Sequence, residues 1–182
     1  LITASAGTSN FRAGVNAGDS IQSGGSYNVV VGDQAGTAIT TGDNNIAVGF
    51  AALDAEDTGS NNVAIGASAL SALNYNGSGY NTAVGSNAGA AVTTGIRNTF
   101  VGGLAGDATT TASDNTAIGK SSLSANTTGA NNTAVGESSL ASNTTASSNT
   151  AIGKDALQAN TTGANNVALG SSAGAALTTG SS

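Results

Sequence analysis

Residues able to do chemistry are scarce in this chain. Its 182 residues include no His and no Cys, so nucleophile–base pairs of the usual kind and zinc sites lack their best-suited side chains. The densest acidic cluster is Asp54, Glu56 and Asp57. Carboxylates that close could act as general acid and base on a polysaccharide, or hold a cation. Acids do not recur at one spacing, however, and neither the G-G-x-G-x-D calcium repeat nor a G-x-x-x-x-G-K-[ST] phosphate loop is present. A solvated charged turn is the simpler reading, and the expectation is a non-enzymatic chain without metal or cofactor. A second candidate is "LNYNGSGYN", Leu73 to Asn81, which brings Tyr75, Asn76 and Tyr80 into one lengthened segment. A Tyr ring joins an apolar face to a polar tip, so exposed tyrosines beside an amide can stack on a sugar and hydrogen-bond it. The structural alternative is an insertion whose rings cover neighbouring residues. A third candidate is the recurring Thr pair, as at Thr93-Thr94 and Thr127-Thr128, which in a regular array could order water at an ice surface.

Composition narrows the classes further. Only 8% of residues are charged, and four basic residues within a net charge of −6 argue against a nucleic-acid backbone as partner. No apolar run approaches the roughly 18 residues that span a membrane, and no signal peptide is visible. Low hydrophobicity with high net charge would mark disorder; here Val and Ile recur at fixed places instead.

The elements that position these residues follow from a repeat. Taking the Asn of each N-x-A-V-G-like run as position 1 gives Asn10, Asn28, Asn45, Asn62, Asn81, Asn98, Asn115, Asn132, Asn149 and Asn166. The spacings are 18, 17, 17, 19 and then 17 throughout. Ten coils tile residues 1–182 as a single array with no capping element, which predicts a segment of a longer fibre. Helical repeats have longer periods, about 33 to 47 residues, and are not this rich in Gly, Asn and Thr. The pattern predicts an all-β chain, a parallel β-solenoid with two short strands per coil.

Each position has a physical reading. Position 4 is aliphatic in nine coils (Val31, Val48, Ile65, Val84, Val101, Ile118, Val135, Ile152, Leu169). It shares one strand face with position 2, so both are expected to face the coil interior. Position 3, mostly Ala but also Arg12 and Phe100, is then expected outside, as a flat surface against a neighbouring chain. Position 5 is Gly in every coil, including Gly32, Gly49, Gly66, Gly85, Gly102, Gly119, Gly136, Gly153 and Gly170, as a corner with positive φ or close backbone approach requires. The Asn of position 1, as in Asn115, Asn132 and Asn149, can satisfy corner backbone groups and stack into a ladder. Positions 9 and 12 compensate: Leu at 9 (Leu53, Leu70, Leu123, Leu140, Leu157) gives way to Gly where 12 becomes aliphatic (Ile21, Ile39, Val92, Leu177). Both are therefore expected to reach one cavity that takes about one large side chain per coil. The coil with Gly106 and Thr109 looks underfilled.

Runs such as "NTAVG" (Asn132 to Gly136), "NTAIG" (Asn115 to Gly119 and Asn149 to Gly153) and "NVALG" resemble the coils of trimeric autotransporter adhesin heads. They are also similar to coils in fibre shafts of bacteriophages and bacterial contractile devices. The resemblance implies a left-handed parallel β-roll and three identical chains side by side. It further implies a fibre on a cell surface or virion, contacting a host-surface glycan or protein receptor. Adhesin-head coils are typically shorter, and the long "ANTTGAN" turn looks closer to the phage type. Association has a separate argument: a coil offers only about three medium aliphatic groups, each worth roughly 1.5–3 kcal/mol when buried, against the ordering entropy of its backbone. Burying a face against identical chains would help, and closed symmetry is the usual solution.

Overall fold

The computed structural model describes residues 7–181. Ten three-residue strands occupy positions 2–4 of successive coils: β1 (Phe11–Ala13), β2 (Val29–Val31), β3 (Ile46–Val48), β4 (Val63–Ile65), β5 (Thr82–Val84), β6 (Thr99–Val101), β7 (Thr116–Ile118), β8 (Thr133–Val135), β9 (Thr150–Ile152) and β10 (Val167–Leu169). They form one parallel sheet in sequence order, so the chain is a parallel β-solenoid. Like pairs with like across most steps: Thr116 lies opposite Thr133, Ala117 opposite Ala134 and Ile118 opposite Val135; Phe100, opposite Ala83 and Ala117, is an exception. The constant period has a direct cause here, because changing coil length shifts every side chain downstream out of its file. The two-residue-longer coil absorbs its insertion in the turn, where Ser60 and Ser78 form an isolated bridge, and β4 still meets β5 in register.

Each coil carries one strand rather than the expected two. Positions 7 and 9 adopt left-handed backbone in every coil, as at Ser121 (φ 55°) and Leu123 (φ 54°), which breaks extended pairing after the Gly corner. Backbone bonds along the axis persist without a second ladder, for example Leu123 N–H to Ser139 O at 2.9 Å and Thr127 N–H to Thr144 O at 2.8 Å. Position 9 explains its own alphabet. Gly is the natural residue at such a φ, and Leu accepts a left-handed cost of roughly 1–2 kcal/mol to fill the interior.

The strand faces are reversed from the expectation. Position 3 points inward, with Val30, Ala47, Ala64, Ala83, Phe100, Ala117, Ala134 and Ala151 all fully buried, whereas positions 2 and 4 face outward. Space decides this. The Leu of position 9 or the aliphatic of position 12 already fills the coil from the opposite wall, which leaves room for a methyl group at position 3. Ile21 and Ile39 lie over the glycines of their own coils, since a Cβ on Gly18 or Gly36 would fall 2.9 or 2.8 Å from the Ile Cδ1. Phe100 is the instructive exception. It buries fully, and a Cβ on Gly89 would meet its Cδ2 at 2.7 Å and one on Gly106 its Cδ1 at 2.6 Å. The coil read as underfilled is filled from the strand side. Arg12, which had suggested an outward position 3, reaches across the first coil to the Ala17 carbonyl and pairs with Asp19.

Candidate functional site

Residues of positions 1 and 5 build the corner that sets all others. From Asn28 to Asn166 the position-1 side chains are buried. From Asn10 to Asn149, each Oδ1 accepts the backbone N–H of the Asn one coil on. Asn132 is representative: its Oδ1 takes Asn149 N–H at 3.0 Å, and its Nδ2 donates to Ala146 O at 2.9 Å and Asn115 Oδ1 at 3.2 Å. Asn115 and Asn149 repeat the set, with Nδ2 reaching Gly129 O and Gly163 O. The glycines of position 5 lie at φ between 123° and 139°. A Cβ on Gly119 would sit 2.6 Å from the Gly136 carbonyl carbon, so both conformation and space require Gly. These residues hold the scaffold together and leave no group free for chemistry.

A second buried file was not anticipated. At position 12, Asn126, Asn143 and Asn160 are fully buried; Asn143 Nδ2 donates to Asn126 Oδ1 at 3.1 Å and to Ala146 O at 3.0 Å. Its signal was three identical amides at one spacing, beside coils already filled by Leu. Glu56 occupies the same position and is also fully buried. Its Oε1 accepts Gly59 N–H at 2.8 Å, and burial pushes its carboxyl above the usual range.

The acidic cluster therefore does not converge. Glu56 points into the coil, Asp54 has a buried Oδ1 without a partner, and Asp57 accepts the Thr40 hydroxyl. Among the described residues, no group of three or more His, Cys, Asp or Glu could hold a metal ion.

In the lengthened coil the tyrosines separate. Tyr75 packs against the core, with Gly77 folded over its ring, while Tyr80 stands 61% exposed. Asn76 is exposed, and its Oδ1 accepts the Thr58 hydroxyl at 3.2 Å. The Thr files also divide. Hydroxyls at position 13 donate to backbone carbonyls one coil on, as Thr127 does to Thr144 O at 3.0 Å, which leaves position 14 as a single exposed file interrupted by Tyr75.

Two further surfaces are open among the described residues. A shallow hollow of about 430 Å³ is lined by Ser86, Asn87, Gly103, Leu104 and Lys120. The larger feature is the outer strand face, where position 4 stacks aliphatic side chains from Val31 to Leu169. Ile65, Ile118 and Ile152 are 38–39% exposed in mid-array. Position 2 adds Phe11, Val29, Ile46 and Val63 before changing to Thr from β5 to β9. No protein-family model, curated protein or solved structure matches this chain.

Proposed function

We propose that this chain is a segment of a structural or adhesive fibre of the adhesin-head or tail-fibre type, non-enzymatic and displayed outside the cell or on a virion. Three copies lie side by side, and the fibre presents or makes multivalent contacts to a glycan or protein receptor. The observation that carries this reading is the outward strand face, a ribbon aliphatic at position 4 from Val31 to Leu169 and apolar at position 2 in β1–β4 and β10, with Thr at position 2 between them. Ten strands at roughly 4.8 Å and three residues at about 3.3 Å make it about 45 Å by 10 Å, a footprint near 450 Å². The largest apolar patch on a monomer, about 300–600 Å², is often a contact surface; stable interfaces bury about 600–1,000 Å² from each partner, so the strand face would form the apolar centre of a seam that the flanking turns complete. The seam is thus the β-branched face, not the Ala face. Closed association along it also supplies the burial that a thin coil lacks.

Rigidity follows from the same stacking, and a stiff rod bearing identical surfaces on each chain converts weak contacts into avidity. The ice-binding alternative draws less support, because position 13 spends its hydroxyls on backbone carbonyls. A polysaccharide-cleaving reading would need the Asp54, Glu56 and Asp57 carboxylates on one surface.

The absence of Cys makes a direct test available. Val101→Cys, on the ribbon, should form interchain disulfides on mild oxidation, while Thr128→Cys, on the exposed turn file, should remain a thiol. Equal cross-linking of the two, or none at Val101→Cys, would remove the seam from the account.

A further inference from the structure

Position 17, the residue before each buried Asn, adopts left-handed backbone in every described coil, with φ between 51° and 63°. Asn and Asp tolerate this region and, with Ser148, fill it in most coils, at Asn44, Asn61, Asp114, Asn131 and Asn165. Tyr27 (φ 61°), Tyr80 (φ 51°) and Arg97 (φ 58°) break the rule. A bulky residue there costs of order 1–3 kcal/mol, and folding recovers little of it, since the two tyrosines are 60% and 61% exposed. Strain without burial, repeated along one file, is a mark of a contact surface.

The file reads Tyr27, Asn44, Asn61, Tyr80, Arg97, Asp114 along the axis. The two rings are three coils apart, about 14 Å, with two amides between them. Arg97 donates to both carboxylate oxygens of Asp114, at 2.6 and 2.8 Å. This bond holds the Asp114 carboxyl below its usual range, so the pair stays ionised and locally neutral. Exposed rings offer faces for the C–H side of a pyranose, and planar amide, guanidinium and carboxylate groups match vicinal hydroxyls. The compensated charge, on a chain of net −6, disfavours an anionic ligand.

We infer that the position-17 file from Tyr27 to Asp114 is a binding strip for an uncharged oligosaccharide laid along the fibre axis. The strip rests on the fibre reading and deepens it. Tyr80 belongs to it, and Tyr75, turned onto the core, does not. It lies outside positions 2–4, which the proposed seam uses.

Tyr27→Asn together with Tyr80→Asn installs the residue that the other coils favour, so the double variant should fold with an equal or higher melting temperature. Binding is read by titration calorimetry with cellohexaose, chitohexaose and maltohexaose, and with a galacturonic acid hexamer as the charged comparison. The expected result is binding of at least one neutral hexamer, weakened at least about tenfold in the double variant. Unchanged binding in the variant would overturn the strip while leaving glycan contact elsewhere on the fibre. Binding of the acidic hexamer alone would overturn the neutral assignment. No binding of any hexamer by a chain that still forms trimers would overturn the inference and leave the fibre reading standing.

Discussion

Replacing Phe100 by Ala gives the sharpest test of the interior. Ala is the ordinary residue at position 3, so by sequence pattern the change looks harmless. The structure says otherwise, because this coil has Gly106 at position 9 and the small, buried Thr109 at position 12, and no other large side chain fills it. Phe100 is fully buried, and a Phe-to-Ala truncation that leaves a cavity costs about 3–5 kcal/mol. Gly106→Ala in the wild type places a methyl group 2.6 Å from Cδ1 and 2.7 Å from Cζ of the ring, an overpacking cost of about 1–3 kcal/mol on top of the left-handed backbone at φ 58°. Without the ring the clash vanishes and only the backbone cost remains. The double variant should therefore be less destabilised than the sum of the singles by about 1–3 kcal/mol. Urea unfolding of the four proteins at one fixed concentration measures this, since association would otherwise shift the midpoints. Phe100→Ala costing under about 1 kcal/mol, or additivity within about 0.5 kcal/mol, would refute the claim that each coil needs one large interior side chain.

Other outcomes follow from the same geometry. Asn132→Ala strips the partner from the buried Asn149 N–H, while Ala146 O keeps its bond from Asn143 Nδ2; leaving one buried backbone donor unpaired costs about 1–3 kcal/mol, visible in the melting temperature. Glu56 is held above its usual pKa by burial, with Asp57 nearby adding to the shift. Its native form binds a proton more tightly than its unfolded form. The contribution of Glu56 to stability is therefore greatest below its ordinary value of 4.5 and declines as pH rises from there through the raised native value. Glu56→Gln should stabilise the protein at neutral pH and flatten that decline in melts taken from pH 4 to 8; an unchanged profile would show that the carboxyl is solvated. Val101→Lys with Val135→Lys should abolish association and, by removing the burial that association supplies, lower the melting temperature followed by circular dichroism.

The period was legible because stacked coils demand the same side chain in the same place, and Asn132 or Gly136 announces its role at each repeat. Strand orientation was not. Alternation assigns positions 2 and 4 to one face but is silent on which face is inside, and β-branched bulk favoured the wrong one. Only the opposite wall settles it: Leu123 and Leu140 occupy the volume that Val135 would have needed. Phe100 carried a usable clue, since the large residue at position 3 coincides with the coil whose positions 9 and 12 are small. The position-17 strip was hidden because its signal is backbone conformation; a Tyr at position 80 becomes unusual only once φ there is known to be 51°.

The central claim, that the aliphatic strand ribbon is a seam between copies, is tested most directly by the mass of the particle in solution, measured by light scattering. The account predicts three times the 17.1 kDa chain, falling to one chain when Val101 and Val135 become Lys. A stable, folded particle of 17.1 kDa in the wild type, with the ribbon open to water, would contradict it.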